Sequence, residues 1–352
     1  MTEISGRKLE HLSLCAEGDV ESRHSTLLEE VALLHDSLPE LSQADVDPSV
    51  PLFGRTLQAP VVITGMTGGA SAAREINRAL AGVAQKQGFA FGVGSQRAML
   101  QQAEQAASYE VRDIAPDVLL LANVGAVQAR DLDTERVLKL VTRIGADALC
   151  VHLNPAQELV QDEGDRDFRG CLEAIARLAR EIGVPVVAKE TGCGLSPRAL
   201  ARLRAAGVEW VDVSGAGGTT WTGVEALRGS RRQRALGAEL REWGIPTAAS
   251  LVFARRAGLS AIASGGLRGA LDVVRALALG AHAGGLALPF LRAFHHGGAL
   301  AAEELGADLA EGIRAAMLLV GARRVADLPS VPRVIGPRLR AWLEPELAPP
   351  GN

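Results

Sequence analysis

The stretch VPVVAKETGCG, residues Val184–Gly194, decides how this chain is read. A β-branched, aliphatic run of strand length ends on a lysine and then on a glycine turn. Before it lies Cys171–Ile182, whose apolar residues recur at helical spacing. After it comes Pro197–Ala206, which does the same. A strand without polar alternation is one covered on both faces, as in a parallel sheet flanked by helices.

The same unit repeats on either side. Strand candidates are Pro60–Thr64, Phe89–Val93, Val118–Ala122, Ala148–His152, Pro185–Lys189, Trp210–Val213, Leu259–Ala263 and Ala283–Ala287. Ala72–Gln87, Thr134–Ile144 and Arg268–Leu279 read as helices between them. Eight βα units in about 240 residues predict an α/β fold of the TIM (β/α)8 type. A doubly wound open sheet is the alternative, but it usually opens with G-x-G-x-x-G, which is missing after the first strand. The predicted organisation is a single domain over 1–352, with the barrel at about 59–298. An N-terminal extension (1–58) carries a helical pattern at Thr26–Leu34. A C-terminal helix, Ala299–Val320, leads into a tail with six prolines that reads as partly irregular.

Composition excludes several function classes. The chain has 352 residues, 39 of them glycine, and only 3% aromatic residues. Net charge is -4, so there is no basic footprint for nucleic acid and few rings for base stacking. Cys15, Cys150, Cys171 and Cys193 form no C-x-x-C pair, which argues against structural zinc or a disulfide framework and fits reduced thiols in a cytoplasm. The N-terminus has no apolar signal region. The most apolar stretch, Ala276–Leu291, falls short of the ~20 residues that span a bilayer.

In a barrel the active site forms where strands end. Every predicted strand end carries glycine with a hydrogen-bonding residue: Gly65-Met66-Thr67-Gly68-Gly69, Gly94-Ser95-Gln96-Arg97 and Asn123-Val124-Gly125 after the first three. His152 through Glu158 follows the fourth, Lys189-Glu190-Thr191-Gly192 the fifth and Ser214 through Thr219 the sixth. Ser264-Gly265-Gly266-Leu267-Arg268 follows the seventh. Tight turns alone would explain one such glycine; eight in a row point to a ligand approached by backbone. The seventh and eighth ends are where such barrels hold phosphate on helix N-termini. Lys189 reads three ways: a snorkelling lysine, a Schiff-base nucleophile, or a cation facing negative charge on a cofactor ring. His152, Gln157 and Glu158 offer a proton donor or orienter and a hard oxygen ligand for Mg2+. The Arg7-Lys8 pair gains meaning only for a polyanionic substrate.

Taken in order, R-K-x-x-H (Arg7–His11), M-T-G-G (Met66–Gly69), G-S-x-R (Gly94–Arg97), H-x-N-P-x-Q-E (His152–Glu158), K-E-x-G-x-G (Lys189–Gly194) and S-G-x-G-G-T-x-W (Ser214–Trp221) resemble one family. It is the FMN-dependent type 2 isopentenyl-diphosphate delta-isomerase, and the resemblance runs from Arg7 to about Arg324. The fourth and sixth segments are the most specific. The resemblance implies interconversion of isopentenyl and dimethylallyl diphosphate, with reduced FMN, Mg2+ and NADPH as reductant and no net redox change. It implies FMN contacts from Gly65, Met66, Thr67, Ser95, Asn123, Lys189, Ser214 and Thr219. Gly266, Leu267, Arg268, Ala287 and Leu288 would hold the phosphate. Arg7, Lys8, Ser95, Gln96, Arg97, His152 and Gln157 would face the substrate, and Glu158 would bind the metal. His152, Gln157 and Lys189 are the implied catalytic residues. Leu288 departs from the family, where Arg or a small residue is expected, so only a backbone contact is implied there. A cytoplasmic homo-oligomer, tetramer or octamer, with neither membrane nor nucleic acid as partner, completes the expectation.

Rival readings lack their motifs. A hydroxy-acid oxidase would need His-Gly-x-Arg after a late strand, and an IMP-dehydrogenase-like enzyme a nucleophilic cysteine in a strand-end loop, where Cys193 is the only cysteine and the sequence around it does not match. A Schiff-base lyase or a non-catalytic flavin-binding scaffold remain as alternatives.

Overall fold

The computed structural model describes residues 3–344, apart from the side chains of residues 3–5, Arg7, Ser71 and Ala103. Eight strands make a closed parallel barrel in sequence order. They are β1 (Val61–Ile63), β2 (Ala90–Gly92), β3 (Leu119–Gly125), β4 (Ala148–Leu153), β5 (Val186–Glu190), β6 (Trp210–Asp212), β7 (Ser260–Ala263) and β8 (Ala283–Leu286). Each overlaps its predicted segment, and β8 pairs with β1 to close the ring.

Alternation along each strand divides two cores. Val62, Ala90, Leu121, Cys150, Val187, Trp210, Ile262 and Ala283, at least one from every strand, pack together inside the barrel. Their neighbours, such as Ile63, Phe91, Leu120, Val151, Ala188 and Val211, pack outward against the helices. α1 (Glu3–Glu17) lies at the mouth, and the outer ring includes α2 (Ser71–Gln87), α3 (Thr134–Ile144), α4 (Cys171–Glu181), α5 (Pro197–Ala205), α6 (Thr247–Arg256), α7 (Ala270–Ala278) and α8 (Leu288–Leu319). Local chemistry sets their starts: Asp133 accepts from Arg136 N at the head of α3, and Ser196 from Ala199 N with Pro197 at the first turn of α5.

A hairpin, Val50–Leu52 with Arg55–Leu57, plugs the base of the barrel. Its turn puts both Phe53 and Gly54 at positive φ (46° and 78°), as a two-residue hairpin turn requires. Phe53 tolerates this because its ring packs edge-on against Trp210, centroids 4.7 Å apart. Arg55 and Arg112 grip Asp147 and tie the hairpin to the foot of β4.

One expectation needs correction. Thr26–Leu34 is not a helix: Leu27 turns left-handed (φ 59°), Ser25 and Thr26 hydroxyls accept from nearby N–H groups, and Val31–Leu33 pairs as a strand with Arg333–Ile335. The N-terminal helix is α1 instead. The expected C-terminal helix from Ala299 is present as the second part of α8, which Gly297 and Gly298, both non-helical, separate from a first part beginning at Leu288. The tail, expected to be partly irregular, holds that pairing strand and a short helix, Pro337–Leu343, and its residues 345–352 lie outside the described residues. Three helices, Trp221–Arg228, Arg231–Glu239 and α6, fill the long connection after β6. Among the described residues no helix is long and apolar enough to cross a membrane.

Leu121 is 2% exposed and lies in the inner layer directly below the site. Leu121→Ala is expected to cost about 2–5 kcal/mol of stability, because the closed barrel cannot collapse onto the void. The shift in denaturant midpoint measures it, and a loss under about 1 kcal/mol would contradict the layer assignment.

Candidate active site

The site follows from the inner layer by one further alternation. Two residues beyond Val62, Leu121, Cys150, Val187, Trp210 and Ile262 stand Thr64, Asn123, His152, Lys189, Asp212 and Ser264. Register then lines three of them up: His152 is level with Lys189, and Lys189 with Asp212. Lys189 Nζ lies 2.7 Å from Asp212 Oδ2 and 3.2 Å from Ser264 Oγ. Ser264 Oγ donates to Asp212 Oδ1 at 2.6 Å, and Ser214 N to the same oxygen at 3.2 Å. An ammonium held this way presents no free amine lone pair, which disfavours the Schiff-base reading. The same anchoring leaves Ser214 left-handed (φ 33°), a strained position for a residue with a side chain.

His152 Nδ1 is 2.8 Å from Asn123 Oδ1. With that oxygen as acceptor, Nδ1 carries the hydrogen and Nε2 the lone pair. Burial, and then the charges of Lys189, Lys8 and Arg97, push the imidazole down to about 4. Asn123 is itself fixed by Gln96, whose Oε1 accepts from Asn123 N while Nε2 donates to Leu140 O. Gln96 is fully buried and does not line the cavity, so the expectation of substrate contact fails for it. It is a brace behind the site.

Beyond β4, Gln157 and Glu158 lie on the short helix Pro155–Val160. Glu158 is buried, yet its two oxygens accept from Asn154 Nδ2 (2.9 Å) and Asp165 N (2.8 Å). Gln157 Nε2 donates to Glu225 Oε1 at 3.0 Å. Burial pushes the Glu225 carboxyl up, but His11, Gln157 and Arg228 outweigh it and hold it at about 2. Glu190 lies behind the fifth strand end. Burial raises its carboxyl to about 7 although the N–H groups of Thr191, Cys193 and Gly194 point at it.

Helix α1 crosses the mouth. Lys8, His11, Leu12 and Cys15, at helical spacing, line the cavity with Met66, Ser95, Arg97, His152, Gln157 and Glu158. Lys8 Nζ is held by Ser95 O (3.1 Å) and Tyr109 Oη (3.0 Å). The Arg97 guanidinium has no partner among the described residues. The side chain of Arg7 lies outside the described residues. Gly65, Thr67, Asn123, Lys189, Ser214, Thr219, Gly266, Leu267, Arg268, Ala287 and Leu288 also line this cavity. Arg268 is the exception in chemistry: its guanidinium is taken by Glu21 and its N–H by Asp272, so it has little left for a phosphate.

Residues 152–333 match the model of the FMN-dependent dehydrogenase family. Over 350 residues the chain is 45% identical to an isopentenyl-diphosphate delta-isomerase of Halobacterium salinarum, covering 97% of each. Over 343 residues it is 46% identical to that of Aeropyrum pernix, covering 96% of this chain and 92% of the other. The chain belongs to the FMN-dependent isopentenyl-diphosphate delta-isomerase family. Mandelate oxidase structures share the fold at low identity: the complex with 3,3-difluoro-2-hydroxy-3-phenylpropionic acid has a TM-score of 0.62 and 20% identity, covering 93% of this chain and 95% of that one.

The atoms present fit the flavin of this isomerase family. Thr67 Oγ1 is buried with no partner. The N–H groups of Gly266, Leu267, Ala287 and Leu288 have no acceptor among the described residues. Ala287 and Leu288 stand at the start of α8, where helix geometry favours an anion, and Gly266 and Leu267 lie in the loop just before the Gly269 cap of α7. Gly266 is left-handed (φ 84°), and a Cβ on Gly218 would lie 2.4 Å from Gly266 N, so the cradle needs glycine at both. Sequence reading missed Asp212 and Glu225. Alternation from Trp210 would have found Asp212, and helical spacing from Trp221 would have flagged Glu225.

His152 provides a pH test. The unfolded imidazole titrates near 6.5, so the unfolded chain binds the extra proton between 6.5 and about 4. Native stability therefore falls as pH drops through that window and levels off below it. An NMR titration should place the His152 midpoint near 4. A midpoint between 6 and 7 would mean that the ring is solvated.

Proposed function

We infer that this chain interconverts isopentenyl diphosphate and dimethylallyl diphosphate, using reduced FMN, Mg2+ and NADPH as the reductant that keeps the flavin active. One observation carries the reading. A single cavity joins a cationic rim, Lys8 and the unpartnered Arg97, to apolar walls from Leu12, Met66, Trp221 and Leu291 and to a row of open N–H groups. A small apolar diphosphate beside a phosphorylated cofactor matches that division.

Isomerisation adds a proton at one carbon and removes one from another, so substrate and product share one formula. Among the described residues no strong side-chain acid faces the cavity, and His152 is neutral across ordinary pH. When bound, FMN supplies an electron-rich, proton-active ring, which is the difficult chemistry here. Lys8 and Arg97 grip the diphosphate. His152, oriented by Asn123, presents its Nε2 lone pair as an acceptor at the rim of the substrate. Gln157, held by Glu225, presents an amide whose direction is fixed. Lys189 faces the cofactor as a cation, with Asp212 setting its position. Met66, Thr67, Ser95, Ser214 and Thr219 contact the flavin, and the N–H groups of Gly266, Leu267, Ala287 and Leu288 take its phosphate.

Glu158 holds the Mg2+. Among the described residues no three His, Cys, Asp or Glu side chains gather as a metal cage. Magnesium commonly takes one or two carboxylates and fills the rest of its shell with phosphate oxygens and water. Glu158, buried and aimed into the cavity, suits that pattern.

An anaerobic assay with isopentenyl diphosphate, leaving out FMN, Mg2+ or NADPH in turn, tests the reading. Each omission should abolish turnover, and full turnover by flavin-free protein would overturn it. Glu158→Gln should lower kcat/KM at fixed Mg2+ by roughly 100-fold, equivalent to about 2.7 kcal/mol, while the FMN dissociation constant stays put. An equal loss in both would instead mean a collapsed loop.

Lys189→Ala strands the buried Asp212 carboxylate, and removing one partner of such a pair costs about 3–5 kcal/mol. The double variant Lys189→Ala/Asp212→Ala should regain part of that stability in thermal melts but none of the affinity for reduced FMN. Recovery of both would remove Lys189 from the cofactor site.

A further inference from the structure

The connection leaving α1 crosses three of the βα loops that surround the mouth. Thr220 N donates to Val20 O and Ser22 N to Gly218 O, both at 2.8 Å, which stitches the connection to the loop after β6. Between these contacts, Glu21 accepts from Arg268 Nε at 2.9 Å and from its Nη2, on the loop after β7. It also accepts from Arg292 Nη1 at 2.6 Å, in the first turns of α8. Arg292 turns its other donors onto α1: Nη2 lies 3.2 Å from Gly18 O and Nε 3.4 Å from Cys15 O. Those carbonyls are at or just past the helix end, where backbone acceptors lack intrahelical partners.

One carboxylate thus joins the helix that carries Lys8 to the two loops with open N–H groups. Burial pushes the Glu21 carboxyl up, but hydrogen bonds and charge from Arg268 and Arg292 hold it below its ordinary value. Ion pairs as exposed as these add little to global stability. Their consequence is geometric. Arg268 is taken away from the phosphate cradle and becomes the handle by which the cradle is held.

We propose that Glu21 is a positioning residue that couples the two halves of the site, so that a diphosphate seated under α1 tightens FMN binding. The proposal rests on the reading of the cavity given above. Each ligand orders the same strap, so the second to bind finds it already ordered. By linkage, FMN tightens the diphosphate by the same factor.

The experiment uses flavin-free protein and inorganic pyrophosphate with Mg2+ as the probe. FMN affinity is measured by fluorescence quenching with and without the probe. For the native protein, pyrophosphate should tighten FMN by about 10-fold, within the usual range of such couplings. In Glu21→Gln the effect should shrink below about 2-fold, with each ligand still binding alone. Arg292→Gln should show the same loss, which keeps the test open if Glu21→Gln does not fold. Undiminished coupling in a folded variant, or no coupling in the native protein, would overturn the proposal. A native protein that takes up no FMN at all would instead remove the cavity reading beneath it, a result distinct from lost coupling.

Discussion

Closing eight parallel strands on themselves leaves few places for polar side chains, and the rest of this molecule depends on that constraint. Outward positions are covered by helices. Inward positions fill with Val, Leu, Ile and Ala until the layer ends. The next inward residue is the first that reaches the mouth, and at six strands it is Thr64, Asn123, His152, Lys189, Asp212 or Ser264. The site is therefore a continuation of the core by one step of a two-residue period, with strand register deciding which side chains meet. Asp212 meets Lys189 because β5 and β6 pair at that level.

The electrostatics follow from the same packing. Lys189 is 8% exposed, and an unpaired ammonium at that depth would be costly. Asp212 and Ser264 satisfy it, so its charge persists in the cavity. Burial first, and then that charge with those of Lys8 and Arg97, keeps His152 neutral. Neutral imidazole beside fixed cations suits a site that holds anions without adding another strong acid. Glu225 acts in the opposite sense behind Gln157: a buried carboxylate held by His11 and Arg228 among others fixes an amide that could otherwise rotate.

Much of this was legible in the sequence because barrels are periodic. VPVVAK reads as a strand covered on both faces, and its ending predicts a residue at the mouth. The glycine-rich ends of the seventh and eighth units predict the cradle that Gly266, Leu267, Ala287 and Leu288 form. What was not legible came from contacts that no local pattern encodes. Gln96 sits in a polar strand-end motif yet turns inward to brace Asn123 across 27 residues of chain. Arg268 looks like a phosphate ligand until Glu21, 247 residues away in sequence, takes its guanidinium. Thr26–Leu34 has helical spacing, but local hydroxyl turns and a partner strand from the tail override it.

The N-terminal extension is where these strands of reasoning meet. Its first helix covers the mouth with Lys8, His11, Leu12 and Cys15, and its hairpin plugs the base with Val50, Leu52 and Leu57. Between them the chain runs from one end of the barrel to the other, pinned midway by the pairing of Val31–Leu33 with Arg333–Ile335. One continuous segment thus seals both ends. The base plug is apolar and belongs to the folding core. The mouth cover is held by ion pairs and hydrogen bonds at Glu10, His11, Glu17 and Glu21, which are weaker and exchange more readily with water. The base plug shares the apolar inner layer of the barrel, whereas the cover adds ion pairs to the apolar contacts of Leu12 and Cys15, so the two ends of the segment are held by different chemistry.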